Sequence, residues 1–201
     1  MKLLVATSNP GKLIEVREIL ARALEGHQLV SLAELKLPAP DETGSTFQEN
    51  AALKATTCAL QCGLWTLADD SGLCVDALDG GPGLFSARYA PTDEERRAKL
   101  LKNVGAAPAS RRGAHFFCAV ALSSPDGKRV FRAEGKVFGR IALEARGTGG
   151  FGYDPLFVPT ETPSRTLAEL PREEKNKLSH RSRALEHLGP ALQRLLRDGD
   201  L

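Results

Sequence analysis

Leu64-Trp-Thr-Leu-Ala-Asp-Asp-Ser-Gly72 places two carboxylates and a hydroxyl directly after a short apolar run. The apolar run predicts a buried strand that ends at Asp69, Asp70 and Ser71. Side chains alternate along a strand, so only one of the two Asp residues is expected to face any one site. Open α/β sheets bind their ligands at the carboxyl ends of strands, which makes this stretch the candidate centre of the chemistry. Asp-Asp-Ser-Gly is also ordinary turn chemistry, so a purely structural role for both acids stays open.

Composition limits the class of protein. A chain of 201 residues that is 42% hydrophobic and 26% charged predicts a single globular domain over residues 1–201. The net charge of +2 is small and the cations are spread among acids, which gives no support for a nucleic-acid-binding surface or a membrane-binding face. The first apolar run ends at Ala6, too short for a signal peptide, so a cytoplasmic protein is expected. Four cysteines without a C-x-x-C pair are expected to be reduced and buried rather than to bind zinc.

The N-terminal segment predicts a strand over residues 2–7, a polar loop over residues 8–12, and a helix from Leu13 onward. A helix start offers free N–H groups to an anion, and Lys12 adds a positive charge there. The loop lacks the G-x-x-x-x-G-K-[ST] spacing of a P-loop, which disfavours a Walker-type site. A phosphate-binding loop and a simple Pro-Gly turn capped by Asn9 both remain open.

A second helix is predicted from a T-x-x-E capping box, Thr46 and Glu49, to about Cys62. Asn50 and Lys54 lie four residues apart on its polar face and could reach one ligand together. Asp41 and Glu42 precede this helix and could add a second carboxylate to the Asp70 site. Mg²⁺ prefers such hard oxygen ligands together with phosphate oxygens.

The middle of the chain predicts structural elements without obvious chemistry. Thr92 is expected to cap a helix that runs to about Asn103. Strands are predicted over residues 115–123 and 129–134, joined by the turn at residues 125–127, and a further strand over residues 137–143.

Two late stretches are candidates for ligand binding. Gly147-Thr-Gly-Gly-Phe-Gly-Tyr-Asp-Pro155 is rich in glycine, and Phe151 or Tyr153 could stack on a base. A flexible loop whose aromatics cover a sheet edge is the alternative. Ser179 predicts the N-cap of the last helix, which puts His180 and Arg181 at the end of the dipole that disfavours cations and therefore suggests a ligand. For Lys175 and Lys177 a solvated face is the commoner explanation.

Six motifs, taken together and in this order, resemble the inosine triphosphate pyrophosphatase family, also called XTP/dITP diphosphatases. They are Thr7-Ser-Asn-Pro-Gly-Lys12, Glu42-Thr-Gly-Ser-Thr-Phe-Gln-Glu-Asn50, Ala68-Asp-Asp-Ser-Gly-Leu73, Gly81-Pro-Gly with Ser86-Ala-Arg-Tyr89, Gly149-Gly-Phe-Gly-Tyr-Asp-Pro155, and Ser179-His-Arg181. The resemblance implies an α/β fold with a long mixed β-sheet flanked by helices, in two lobes with the active site in the cleft between them. It also implies a homodimer that hydrolyses XTP, ITP and dITP to the monophosphate and pyrophosphate with Mg²⁺.

The resemblance further implies roles for individual residues. Asp70 would be the catalytic proton acceptor and a metal ligand, and Asp41 would be the second acidic metal ligand unless Glu42 takes that role. The residues implied to bind substrate are Thr7, Ser8, Asn9, Pro10, Gly11, Lys12, Lys54, Ser71, Phe151, Gly152, Tyr153, Asp154, Lys175, His180 and Arg181.

Two other classes of protein stay open. Enzymes that act on modified pyrimidine triphosphates would share the sheet and the acidic site, but they are expected to lack the signatures at residues 149–155 and 179–181. A non-catalytic nucleotide-binding module would need no metal-binding carboxylate such as Asp70.

Overall fold

The computed structural model describes residues 2–200, which form a mixed α/β fold. Six strands make one sheet in the order β2-β1-β3-β4-β5-β6. Strand β1 runs parallel to β2 and β3, whereas β5 and β6 are antiparallel, so the predicted mixed sheet with flanking helices is confirmed. The strands are β1 (Lys2–Val5), β2 (Gln28–Ser31), β3 (Trp65–Val75), β4 (Gly113–Ser123), β5 (Val130–Ile141) and β6 (Phe157–Pro159). The helices are α1 (Pro10–Leu20), α2 (Phe47–Cys62), α3 (Asp93–Val104), α4 (Arg172–Leu178) and α5 (His180–Asp198).

The chain forms two compact units, each assembled from separate segments. The first unit comprises residues 1–70, 118–135 and 181–201, and the second comprises residues 71–117 and 136–180. Each unit has its own apolar core. The first core gathers residues of β1, α1 and α5 around the single tryptophan, Trp65, and the second gathers Leu100, Val104 and Phe157 with neighbouring side chains. The single domain over residues 1–201 stays a prediction.

Helices of the first unit begin where the sequence provides an N-cap. The side chain of Asn9 accepts a hydrogen bond from the Lys12 N–H at 3.1 Å, and Thr46 accepts one from the Glu49 N–H at 3.1 Å. The predicted Thr46–Glu49 capping box is only half formed, because the Glu49 carboxylate bonds the N–H and hydroxyl of Ser45 instead. Helix α2 ends at Gly63, whose φ of 68° is a left-handed conformation that glycine adopts without strain.

Two strand predictions were wrong in their bounds. Asp69 and Asp70 lie inside β3, which continues to Val75, and not in a turn after it. The predicted strands at residues 129–134 and 137–143 are one strand, β5. Gly135 is buried and the alternation of burial continues through it, so this glycine does not interrupt the strand.

The second unit adds one helix that the sequence analysis did not anticipate. Helix α4 contains Lys175 and ends at Leu178. Ser179 follows it with an extended backbone, and α5 begins at His180, as predicted. The prediction for α3 is confirmed, because Thr92 and Glu95 form a complete capping box.

Candidate active site

Asp69 and Asp70 lie next to each other on β3 and form different contacts, as expected from the alternation of side chains along a strand. Asp69 forms ion pairs with Lys12 at 3.0 Å and with Arg181 at 3.0 Å. Asp70 accepts a hydrogen bond from the Asn50 side chain at 3.0 Å and lies 3.9 Å from the Lys54 ammonium. Both carboxylates are more than nine-tenths buried. The two acids therefore belong to one charged cluster of the first unit.

Asp69 is ionised because cations surround it. Burial by itself would raise the pKa of Asp69, but Lys12 and Arg181 outweigh it and hold the pKa below its usual range. Arg181 is 1% exposed, and its guanidinium contacts both Asp69 and Glu15. Burial would lower the pKa of Arg181, and the two carboxylates reverse this and raise it. The Arg181 side chain thus anchors two buried acids, and its contact with a nucleotide stays a prediction.

Asp70 has a different environment. Burial raises the pKa of Asp70, and Lys54 and Lys12 only partly oppose that effect, while the neighbouring carboxylate of Glu42 adds to it. Lys54 is 7% exposed, and its ammonium binds Glu42 at 2.6 Å. Burial would lower the pKa of Lys54, but the surrounding carboxylates raise it, so the ammonium is kept charged. A carboxylate with a raised pKa is a suitable acceptor for a proton from water.

In the part of the chain that the structure describes, the oxygen donors around Asp70 are a pair of acids and not a full set of metal ligands. The carboxylates of Glu42 and Asp70 influence each other and share Lys54, and Asp41 is exposed. No group of three or more His, Cys, Asp or Glu side chains suited to a metal is present among residues 2–200. A pair of hard oxygen donors that leaves room for water and phosphate oxygens fits Mg²⁺, which seldom occupies an all-protein cage.

The loop after β1 leads to the same cluster. It turns at Asn9, which caps α1, and the helix places the Lys12 ammonium beside Asp69. A pocket of about 300 Å³ in the first unit is lined by Thr7, Ser8, Asn9 and Pro10, together with Leu13 and residues of the segment after β2. Free N–H groups at a helix start and a nearby ammonium are suited to phosphate.

In the second unit, the glycine-rich loop and α4 form another cluster. Asp154 accepts hydrogen bonds from the Phe151 N–H at 2.8 Å and from the Lys175 ammonium at 2.6 Å. The Lys175 ammonium also lies 4.8 Å from the centre of the Phe151 ring. A Cβ at Gly150 would collide with the Asp154 carboxylate, so glycine is required at that position. Lys175 is buried and paired, and its solvated-face interpretation does not hold.

Tyr153 and His180 are packed within the second unit. The Tyr153 hydroxyl donates to the Ser86 carbonyl at 2.9 Å, and the side chain belongs to the apolar core. The His180 ring stacks on Phe116, with ring centres 4.7 Å apart and planes 9° from parallel. Phe151 is half-buried, so of the two aromatic side chains of the loop it is the one with an accessible ring.

The structure brings together Lys12, Lys54 and Asp70 of the predicted site in the first unit, and Phe151, Asp154 and Lys175 in the second. Ser71 follows Asp70 on β3 and is half-buried. Glu15, Asn50 and Asp69 also hold the first cluster in place. The sequence predicts that Asn50 could share a ligand with Lys54 and that one of the two acids faces the site, but it predicts no role for Glu15. The four-residue spacing of Asn50 and Lys54 gave a partial signal for Asn50, whereas a buried glutamate within α1 has no recognisable sequence signal.

Fold and site together define a class: a mixed α/β protein with a buried cluster of lysines and carboxylates suited to a phosphorylated ligand. The Ham1 family model matches residues 3–191. A dITP/XTP pyrophosphatase of Streptomyces coelicolor is 48% identical over 200 residues, covering 97% of this chain and 98% of its own. One from Geobacter sulfurreducens is 50% identical over 198 residues, covering 94% and 96%.

A solved structure agrees with these relatives. A HAM1 protein from Coxiella burnetii superimposes with a TM-score of 0.85 at 44% identity, covering 96% of this chain and 99% of that one. The chain belongs to the Ham1 family. The resemblance inferred from the six motifs is thereby confirmed.

Proposed function

We propose that the protein hydrolyses nonstandard purine nucleoside triphosphates, namely XTP, ITP and dITP, to the monophosphate and pyrophosphate. It would clear them from the nucleotide pool before they enter DNA or RNA. One observation carries the proposal: two largely buried lysines, Lys12 and Lys54, flank the Asp69–Asp70 pair of β3. Relatives that are 48% and 50% identical bear the name dITP/XTP pyrophosphatase, which supports this substrate class.

The chemistry follows from the charges of the first cluster. Lys12 and Lys54 would neutralise the triphosphate, whose negative charge otherwise repels a nucleophile. Asp70 would accept a proton from water as the water oxygen bonds to the α-phosphorus, and the bond to the α,β-bridging oxygen would break with pyrophosphate leaving in line. The raised pKa of Asp70 supports its role as that base. Asp69 is held ionised by Lys12 and Arg181 and is therefore less suited to the task.

Mg²⁺ is part of the proposal. Asp70 and Glu42 would hold the ion, because Glu42 shares Lys54 with Asp70, whereas the predicted ligand Asp41 is exposed. When bound, Mg²⁺ would supply charge neutralisation to the phosphates and the leaving pyrophosphate.

The cluster of the second unit is proposed to bind the nucleoside. Phe151 offers an aromatic face for stacking on a purine, and Asp154 and Lys175 offer an acceptor and a donor. Hypoxanthine and xanthine present an acceptor at position 6, where adenine presents a donor, so donors from loop N–H groups, His180 or Arg181 would favour the former. The protein would act as a homodimer, as the resemblance implies, and in the cytoplasm, as the short first apolar run predicts. Among residues 2–200, no helix combines the length and apolar character needed to cross a membrane.

The proposal is tested by measuring pyrophosphate release from dITP, XTP, ATP and GTP side by side, with Mg²⁺ and with EDTA. Metal-dependent release from dITP and XTP, slower by orders of magnitude with ATP and GTP, is the expected result. Release at equal rates from all four would refute the substrate class, and release from none would leave a nucleotide-binding module.

A further inference from the structure

Two side chains of α3 form hydrogen bonds with the peptide groups on either side of Gly152. The Asp93 carboxylate accepts a hydrogen bond from the Gly152 N–H at 2.9 Å, and the Arg97 guanidinium donates to the Gly152 carbonyl at 2.9 Å. These contacts join residues that lie 59 and 55 positions apart in the chain, and all of them belong to the second unit. Charge-assisted hydrogen bonds of this kind are stronger than those between neutral groups.

Helix α3, which carries both of these side chains, is itself held firmly in the second unit. Its start is closed by the Thr92–Glu95 capping box, and its far end packs Leu100 and Val104 into the core of the second unit. The second oxygen of Asp93 pairs with Arg96 at 2.5 Å, which fixes the orientation of the carboxylate toward Gly152. A loop held by side chains on a packed helix is more precisely placed than one held by its own turns.

Gly152 separates the groups that are proposed to meet the nucleoside. Phe151 precedes it, with its ring beside Lys175, and Asp154 lies two residues after it. The φ of Gly152 is 59°, a left-handed conformation that turns the chain between Phe151 and Tyr153. Holding both polar groups of this one residue therefore fixes the main chain from which the Phe151 side chain extends.

We propose that Asp93 and Arg97 are positioning residues for recognition of the nucleoside, acting through Gly152 on Phe151 and Asp154. The inference rests on the proposed function, because it assigns Phe151 and Asp154 to the nucleoside. Neither Asp93 nor Arg97 needs to touch the substrate. Without these two hydrogen bonds, the binding of a nucleoside must also order the loop, and binding is therefore weaker. The phosphate chemistry of the first unit is unchanged.

The test compares Arg97→Ala and Arg97→Lys with the control Lys102→Ala, an exposed residue of the same helix. Amide hydrogen exchange of residues 147–154 is measured in the free protein, and kcat and KM are measured with dITP. Arg97→Ala is expected to accelerate exchange in the loop and to raise KM by about tenfold with kcat changed by less than about twofold, the pattern of lost binding shared by ground and transition states. Arg97→Lys should restore part of both, and Lys102→Ala should match the unmodified protein.

Three results would overturn the inference. Unchanged amide hydrogen exchange in Arg97→Ala would mean that the hydrogen bond from Arg97 to Gly152 does not order the loop. Faster exchange with unchanged KM would mean that the order of the loop does not serve binding, and a loss confined to kcat would place Arg97 in the chemical step. If the unmodified protein itself does not hydrolyse dITP, the proposed function is refuted and the inference with it. The two failures are distinguishable, because the inference alone fails only in the variants.

Discussion

Replacing Arg181 with Met should destabilise the first unit more than any other single arginine change on α5. The guanidinium contacts Asp69 through two nitrogens, at 3.0 and 3.2 Å, and Glu15 through the third. Glu15 and Asp69 are 6% and 4% exposed, so Arg181→Met removes the guanidinium that both buried carboxylates contact. Removing one partner of a buried pair costs about 3–5 kcal/mol of unfolding free energy.

The loss is measurable by urea unfolding. For an m-value of about 2 kcal/mol/M, a loss of about 4 kcal/mol lowers the midpoint by about 2 M. Fluorescence of the single tryptophan, Trp65, reports the core of the first unit directly. The exposed Arg197 near the end of α5 is the matched control, and Arg197→Met should change the unfolding free energy by less than about 0.5 kcal/mol.

The deficit in unfolding free energy of Arg181→Met should depend on pH. The pKa of Asp69 is held below its unfolded value, so its contribution to stability is present above the unfolded pKa of about 4 and is lost as the pH falls. Arg181→Met allows the folded pKa of Asp69 to rise, and the deficit should therefore be largest at neutral pH and shrink below about pH 4. A midpoint within about 0.3 M of the unmodified protein at pH 7 would refute the reasoning, because it would mean that Arg181 does not hold these carboxylates.

Three further predictions concern the cluster around Asp70 and the buried thiols. Asp70→Asn should lower kcat for dITP by about 10²- to 10⁴-fold, as expected for loss of a general base. The urea midpoint should stay unchanged or rise, because burial disfavours the ionised acid. An undiminished kcat would remove Asp70 from the chemistry. Glu42→Gln should raise the Mg²⁺ concentration needed for half-maximal rate far more than Asp41→Asn does, and the reverse order would return the metal to Asp41. Burial raises the pKa of Cys58 to about 11 and that of Cys118 to about 12. Neither thiol should therefore be alkylated by iodoacetamide at pH 8 in the folded protein. Modification of either cysteine, detected by peptide mass spectrometry, would contradict its burial.

Local patterns sufficed to predict most elements of this protein. The caps at Asn9, Thr46 and Thr92, the start of α5 after Ser179 and the alternation of strands are decided by residues within a few positions of one another. Such short-range interactions can be predicted from spacing, because cap and N–H lie in the same turn. Six motifs in order were sufficient to indicate the family, which the comparisons confirm.

The bounds of β3 and β5 depend on burial and on contacts between residues that are distant in the chain. Asp-Asp-Ser-Gly has the composition of a turn, yet β3 continues through it, because Lys12, Asn50, Lys54 and Arg181 compensate the two buried acids. Gly135 likewise does not end β5, because the neighbouring residues keep their alternation of burial. Local propensity yields where tertiary contacts satisfy the groups that would otherwise favour a turn.

The sequence by itself determined which residue types are available for the chemistry, and only the tertiary structure decided which of them work together. Glu15 meets Arg181 across 166 positions, and Arg97 meets Gly152 across 55. Glu42 rather than Asp41 lies beside Lys54, although the two acids are neighbours in the chain. Contacts of this kind depend on how elements pack, and the charge of a buried group depends on its neighbours in space, which spacing along the chain does not specify.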